Sequence, residues 1–107
     1  MCGSRVVIDL TFDPAGRVTG IGGEVRACAM GQASTALLAA RAAGLTAEDV
    51  ERARGALADL LAGRGRSDQL WPELSVFEPA IARTARHAAI LLPFDAALAA
   101  AAMDRVG

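Results

Sequence analysis

The apolar residues change their period at about residue 28, and that change limits the folds this chain can build. Val6, Ile8, Leu10 and Phe12 alternate with Val7, Asp9 and Thr11, the spacing of a strand with one buried face. Asp13-Pro14-Ala15-Gly16 reads as a turn, with proline presetting its second position and glycine closing it. A second strand is expected at about 17–22. Gly22-Gly23 permits a bulge or a tight turn, which leaves 24–27 as a short third strand. From Gly31 onward the period is helical. The expected fold is therefore α+β: a small three-stranded antiparallel meander with helices packed on one face, in one domain over residues 1–107.

Composition narrows the functional classes. The chain is 53% hydrophobic, but 25 of its residues are alanine and only 4% are aromatic, so the core has modest apolar area. The net charge is −1 and every basic residue is arginine. A nucleic-acid footprint needs a clustered basic excess, so nucleic acid is not an expected partner. The longest unbroken apolar run is Ala96 to Met103, with Pro93 and Asp95 interrupting the wider stretch. A membrane span needs roughly 20 apolar residues, so none is expected. No basic-then-apolar leader opens the sequence, and a cytoplasmic location is the default, where thiols stay reduced. Two cysteines, Cys2 and Cys28, are too few for a disulfide scaffold or for a four-coordinate metal site unaided.

Three helical stretches follow the meander. Gly31 to Ala43 places Ala33, Leu37, Ala40 and Gly44 on a helical spacing, with Gly44 as a terminating glycine. Thr46 and Asp49 form a weak capping box for a helix at 47–62 that buries Val50, Ala53, Leu57, Leu60 and Leu61. Residues 63–68 form a polar loop. Trp71-Pro72 and Phe77 to Pro79 bracket a short segment, irregular or one helical turn long. The last 20 or so residues are helical again. Pro93 deprives the Ala89 carbonyl of its partner, so the helix either begins close to 89 or kinks.

Three pieces carry chemistry. Cys2-Gly3-Ser4 leads into the first strand. Cys28-Ala29-Met30-Gly31-Gln32-Ala33-Ser34 joins the last strand to the first long helix. Arg86-His87-Ala88-Ala89-Ile90-Leu91-Leu92-Pro93-Phe94 opens the last helix. In this order and spacing they resemble the IscU/SufU/NifU N-terminal family of iron–sulfur cluster assembly scaffolds. The resemblance runs from Cys2 to about Val106 and lacks that family's N-terminal helical segment. The context of Cys28 is its most specific part.

The departures bear on the site. Ser4 stands where the family has an aspartate, and Ala89 where it has a third cysteine. Some members have a histidine directly before that cysteine; His87 lies two residues before Ala89. On a regular helix residues 87 and 89 are about 200° apart. If the helix begins only at 88 or 89, His87 belongs to the preceding loop and can swing toward the thiols. Cys2, Cys28 and His87 would then form a three-ligand site with an open position. A cysteine at a helix N-terminus has its thiolate favoured by the dipole, which suits a ligand or a sulfur acceptor.

The resemblance implies a non-enzymatic scaffold that holds iron, zinc or a transient iron–sulfur cluster through Cys2, Cys28 and His87. It also implies a cysteine desulfurase as sulfur donor and cluster-accepting apo-proteins as recipients. A homodimer could share ligands to complete a cluster. Two other readings stay open: an interaction or regulatory module that kept the fold after losing its ligands, and a sulfur acceptor for the desulfurase. Taken alone, His87 reads as a surface or capped histidine and Cys28 as a small buried residue. A single histidine with scattered acids supports no nucleophilic triad.

Overall fold

The computed structural model describes residues 5–26, 28–64 and 71–106, with side chains as far as Met103. Strands β1 (Arg5–Phe12) and β2 (Val18–Arg26) are followed by helices α1 (Ala29–Arg41) and α2 (Ala47–Leu61). A 3₁₀ helix over Pro72–Ala80 and a 3₁₀ turn at Thr84–Arg86 lead into α3 (His87–Val106).

The alternation in β1 behaves as its sequence requires. Val6, Ile8, Leu10 and Phe12 turn inward, and Arg5, Val7, Asp9 and Thr11 are exposed. The turn closes through Asp13, whose Oδ1 accepts from the backbone N–H of Ala15 and of Arg17 at 2.9 Å each. Gly16 there has φ +82°, a conformation glycine adopts without steric cost.

The expected third strand is not formed. Among the described residues the sheet has two strands, because β2 runs unbroken through Gly22-Gly23. Asp9 pairs with Gly22 and Ile8 with Gly23. Gly23 has φ +144°, and a Cβ built there would lie 1.8 Å from the Val7 carbonyl oxygen. The glycine serves close approach of two backbones, not a reversal of the chain. Both uses demand glycine, so the sequence pattern did not separate them.

Helix α1 starts two residues before the expected position, with Cys28 as its N-cap. Gly44, φ +86°, lies just beyond the helix end. Its N–H donates to the Val18 carbonyl and Leu45 accepts from Val18 N–H, both at 2.8 Å, so the α1–α2 connection is stitched to the start of β2. Helix α2 opens on the expected capping box. Thr46 Oγ1 accepts from Asp49 N–H at 3.2 Å, and Asp49 Oδ2 accepts from Thr46 N–H at 3.0 Å. The hydrogen bond from the Thr46 backbone is the main cause holding the Asp49 carboxyl below its usual range. Its five expected core residues are all buried.

The segment after residue 71 is more regular than its prolines suggest. Trp71, Leu74, Phe77 and Ala80 are buried in a row of period three, the eclipsed spacing of a 3₁₀ helix. Trp71 packs on Phe94 with ring centroids 5.8 Å apart. Arg41 lies over the Trp71 ring at 5.4 Å and grips Glu73 with two hydrogen bonds, of 2.9 and 2.5 Å. That grip is the main cause holding the Glu73 carboxyl below its usual range.

Helix α3 begins at His87, so Pro93 falls in its second turn, fully buried. It packs against β1, α1 and α2. By length and composition alone the stretch Thr84–Met103 suffices to cross a membrane. In this fold its Ile90, Phe94, Ala97 and Ala101 are buried in the protein interior.

Substituting the two adjacent glycines separates the two explanations of β2. Gly23→Ala meets both a positive φ and the Val7 carbonyl, and is expected to cost at least about 2–3 kcal/mol in urea unfolding or to prevent folding. Gly22→Ala meets nothing within 4 Å and is expected to change stability by under about 1 kcal/mol. Equal effects would contradict the close-approach account.

Candidate functional site

Two of the three candidate donors fall within the described residues. Cys28 is half-buried and caps α1 with extended backbone angles, φ −65° and ψ 172°. Its carbonyl accepts the first helical bond, from Gln32 N–H at 3.0 Å. No acidic residue occupies the first turn of α1. Cys2 and Ser4 lie outside the described residues.

His87 is the first residue of α3 and not a loop residue, so the expected late helix start is not observed. Its ring is half-buried and fixed: Nε2 lies 2.8 Å from the Ala80 carbonyl oxygen. A carbonyl only accepts, so Nε2 carries the proton and donates. That leaves the Nδ1 lone pair as the basic position of the neutral ring. Donation from one ring nitrogen to a carbonyl is the support a metal-binding histidine commonly has. The same bond also serves a purely structural purpose, tying the end of the 3₁₀ helix to the start of α3.

The two donors sit at the same end of the molecule. The buried hydroxyl of Ser34 donates to the Ile90 carbonyl at 2.5 Å. Ser34 is the sixth residue of α1 and Ile90 the fourth of α3, so the contact joins the N-terminal parts of both helices. At the far end, Phe12 and Ala101 line one shared cavity. From Ala101 back to His87 is about 21 Å of helix, and from Phe12 back to Arg5 about 23 Å of strand. Helix α3 thus runs in the same direction as β1. His87 lies toward the sheet end formed by Arg5, Arg26 and Cys28, since Arg5 pairs with Arg26.

Ala89, in the position of the family's third cysteine, is half-buried beside this end and brings no donor atom. Among the described residues no group of three or more His, Cys, Asp or Glu side chains is close enough to hold a metal ion. Sequence reasoning quoted Ser34 within the Cys28 motif but gave it no role. Its signal was a hydroxyl on the Gly31–Ser34–Leu38 face, all three residues buried, where an unpartnered polar atom would be costly.

A Cys-capped helix and a His-headed helix thus lie toward one end of a small α+β fold. The comparisons give the family. The chain belongs to the NifU-like N-terminal family: it is 38% identical to the nitrogen-fixing NifU-like protein (N-terminal) from Brucella abortus. That crystal structure superposes with a TM-score of 0.84 over 92% of this chain and 69% of that one. A protein from thermophilic Fervidobacterium islandicum AW-1, assigned as an iron–sulfur cluster assembly scaffold for the SUF system, superposes with a TM-score of 0.78. It is 23% identical, over 89% of this chain and 69% of that one, and shares the fold. No family model matches the chain, and no curated protein does.

The clamp between the two helices is open to a direct test. Ser34→Ala leaves a buried carbonyl short of one partner and is expected to cost about 1–2 kcal/mol in urea unfolding. Thr35→Ala removes only a bond to the Gly31 carbonyl within α1 and is expected to be near neutral. A Ser34→Ala cost no larger than that of Thr35→Ala would show that the clamp does not hold the helices.

Proposed function

We propose that this protein is a scaffold-like component of iron–sulfur cluster assembly, binding iron, zinc or a transient cluster through Cys2, Cys28 and His87. The observation that carries the reading is the fixed ring of His87, with Nδ1 as its basic nitrogen, at the same end as the half-buried Cys28. Family membership supports the general role. Sequence position supports the third donor: Cys2 comes three positions before Arg5, the first residue of β1, and Cys28 two positions after Arg26, the partner of Arg5.

Three donors suit a carrier. A cluster ligated by four protein thiolates is held for electron transfer, whereas a three-donor site keeps one position for an incoming group. Sulfur would come from a cysteine desulfurase and the cluster would go to apo-proteins, with the cytoplasm as the setting. The protein itself is read as a non-enzyme. Thiolate and imidazole suit zinc and iron alike, so the donor set does not choose between them.

A second reading rests on Ala89 and on the absence of a three-donor group among the described residues. In it the chain is an interaction or regulatory module that keeps the scaffold fold without its cargo. Sulfur acceptance by Cys28 or Cys2 is a third course, which needs only one thiol.

Anaerobic reconstitution with iron and sulfide separates them. The scaffold reading expects a visible chromophore that survives desalting. Cys28→Ala should abolish it, and His87→Ala should weaken metal retention at least about tenfold. No chromophore, with no iron or zinc by elemental analysis, would contradict the metal reading. The module reading instead expects a protein with both cysteines changed to alanine to keep binding its partner.

A further inference from the structure

The free edge of β1 has the features of a self-complementary interface. Among the described residues β1 pairs only with β2. Along its other edge runs an open groove of about 620 Å³ lined by five consecutive strand residues, Val6 to Leu10, and by Ala96, Ala99, Ala100 and Met103 of α3. Consecutive strand residues point to opposite faces, so a groove that touches all five follows the backbone edge itself. An uncovered strand edge presents unpaired N–H and C=O groups and is a template for another strand. Two exposed large hydrophobic side chains, Val7 and Met103, line this groove, at 36% and 76% exposure.

The charges along β1 indicate which strand fits. Arg5 lies opposite Arg26 in the sheet, a like-charge pair, and Asp9 lies opposite Gly22, which offers no side chain. Directly opposed like charges destabilise a sheet, and opposed unlike charges stabilise it. Now let a second β1 approach antiparallel, with the two-fold axis at Val7. Arg5 then faces Asp9 of the second copy, Asp9 faces its Arg5, and Val7 faces Val7. Side-chain parity is kept, because residues 5, 7 and 9 all lie on the exposed face. One register therefore relieves Arg5 from its like-charged neighbour and gives Asp9 a counter-charge, twice over by symmetry.

We infer that two copies of this chain associate through their β1 edges into a continuous four-stranded antiparallel sheet, in the register that sets Arg5 against Asp9 and Val7 at the two-fold axis. Ala96, Ala99 and Ala100 put only small side chains beside the groove. This assignment stands apart from the reading of the metal site and needs no metal.

Sedimentation velocity of the full chain over a concentration series tests it. The expected result is a concentration-dependent shift from the 11.0 kDa monomer to a species of twice that mass. Asp9→Arg sets arginine against arginine at both ends of the register and should weaken association about tenfold. The double exchange Arg5→Asp with Asp9→Arg rebuilds both pairs and should restore it. Val7→Arg, a change at an exposed position, should also weaken it; circular dichroism melts of each variant at low concentration report whether the monomer still folds. A monomer at every concentration would overturn the inference and leave the edge to a segment of some other protein. Association indifferent to Asp9→Arg, or not restored by the double exchange, would overturn the register.

Discussion

The hydrogen bond from Ser34 to the Ile90 carbonyl is the contact on which the arrangement of this protein turns. Ser34 is the sole buried polar side chain among the described residues. It sits on a helix face otherwise made of Gly31, Leu38 and Ala42. An alanine-rich chain has little apolar area with which to fix the angle between two helices, because small side chains interlock weakly and slide. One directed bond in a dry interface supplies what bulk does not. Elsewhere the few large residues are concentrated around α3: Trp71, Phe77 and Phe94 belong to one core cluster with Leu57, Leu74 and Ile90.

That geometry carries the site. Cys28 takes the N-cap position of α1 and is half-buried there. Because the 3₁₀ helix ends at Ala80, its carbonyl is available to fix the His87 ring. The two donors are thus prepared by different means, one by a helix end and one by a second-layer hydrogen bond. In the proposed reading Ala89 brings no donor atom, and Nδ1 of His87 is the nitrogen that would stand in for it.

Much of this was legible in the residues. The alternation of β1, the Asp13–Gly16 turn, the Thr46–Asp49 box and the buried face of α2 follow from local rules, and the structure contains them. Three features were not legible, each for a physical reason. Glycine at 23 signals a turn and a close backbone approach equally, so the long β2 was read as two strands. The period-three row Trp71, Leu74, Phe77 and Ala80 was hidden by flanking prolines and by the rarity of long 3₁₀ helices. The start of α3 at His87 was obscured by Pro93, which the helix accommodates with its ring fully buried. Of the site, the Cys28 motif and His87 were visible, whereas the Ala80 carbonyl and the Ser34 clamp depend on contacts 7 and 56 residues apart in sequence.

The central claim is that His87 presents Nδ1 as a donor, held ready by Nε2–H. The chain has one histidine, so a long-range ¹H–¹⁵N correlation spectrum of the imidazole reads it without ambiguity. The account predicts the Nε2–H tautomer in the metal-free protein and a large shift of Nδ1 when zinc is added. A ring protonated at Nδ1, or an Nδ1 resonance that zinc leaves in place, would contradict it.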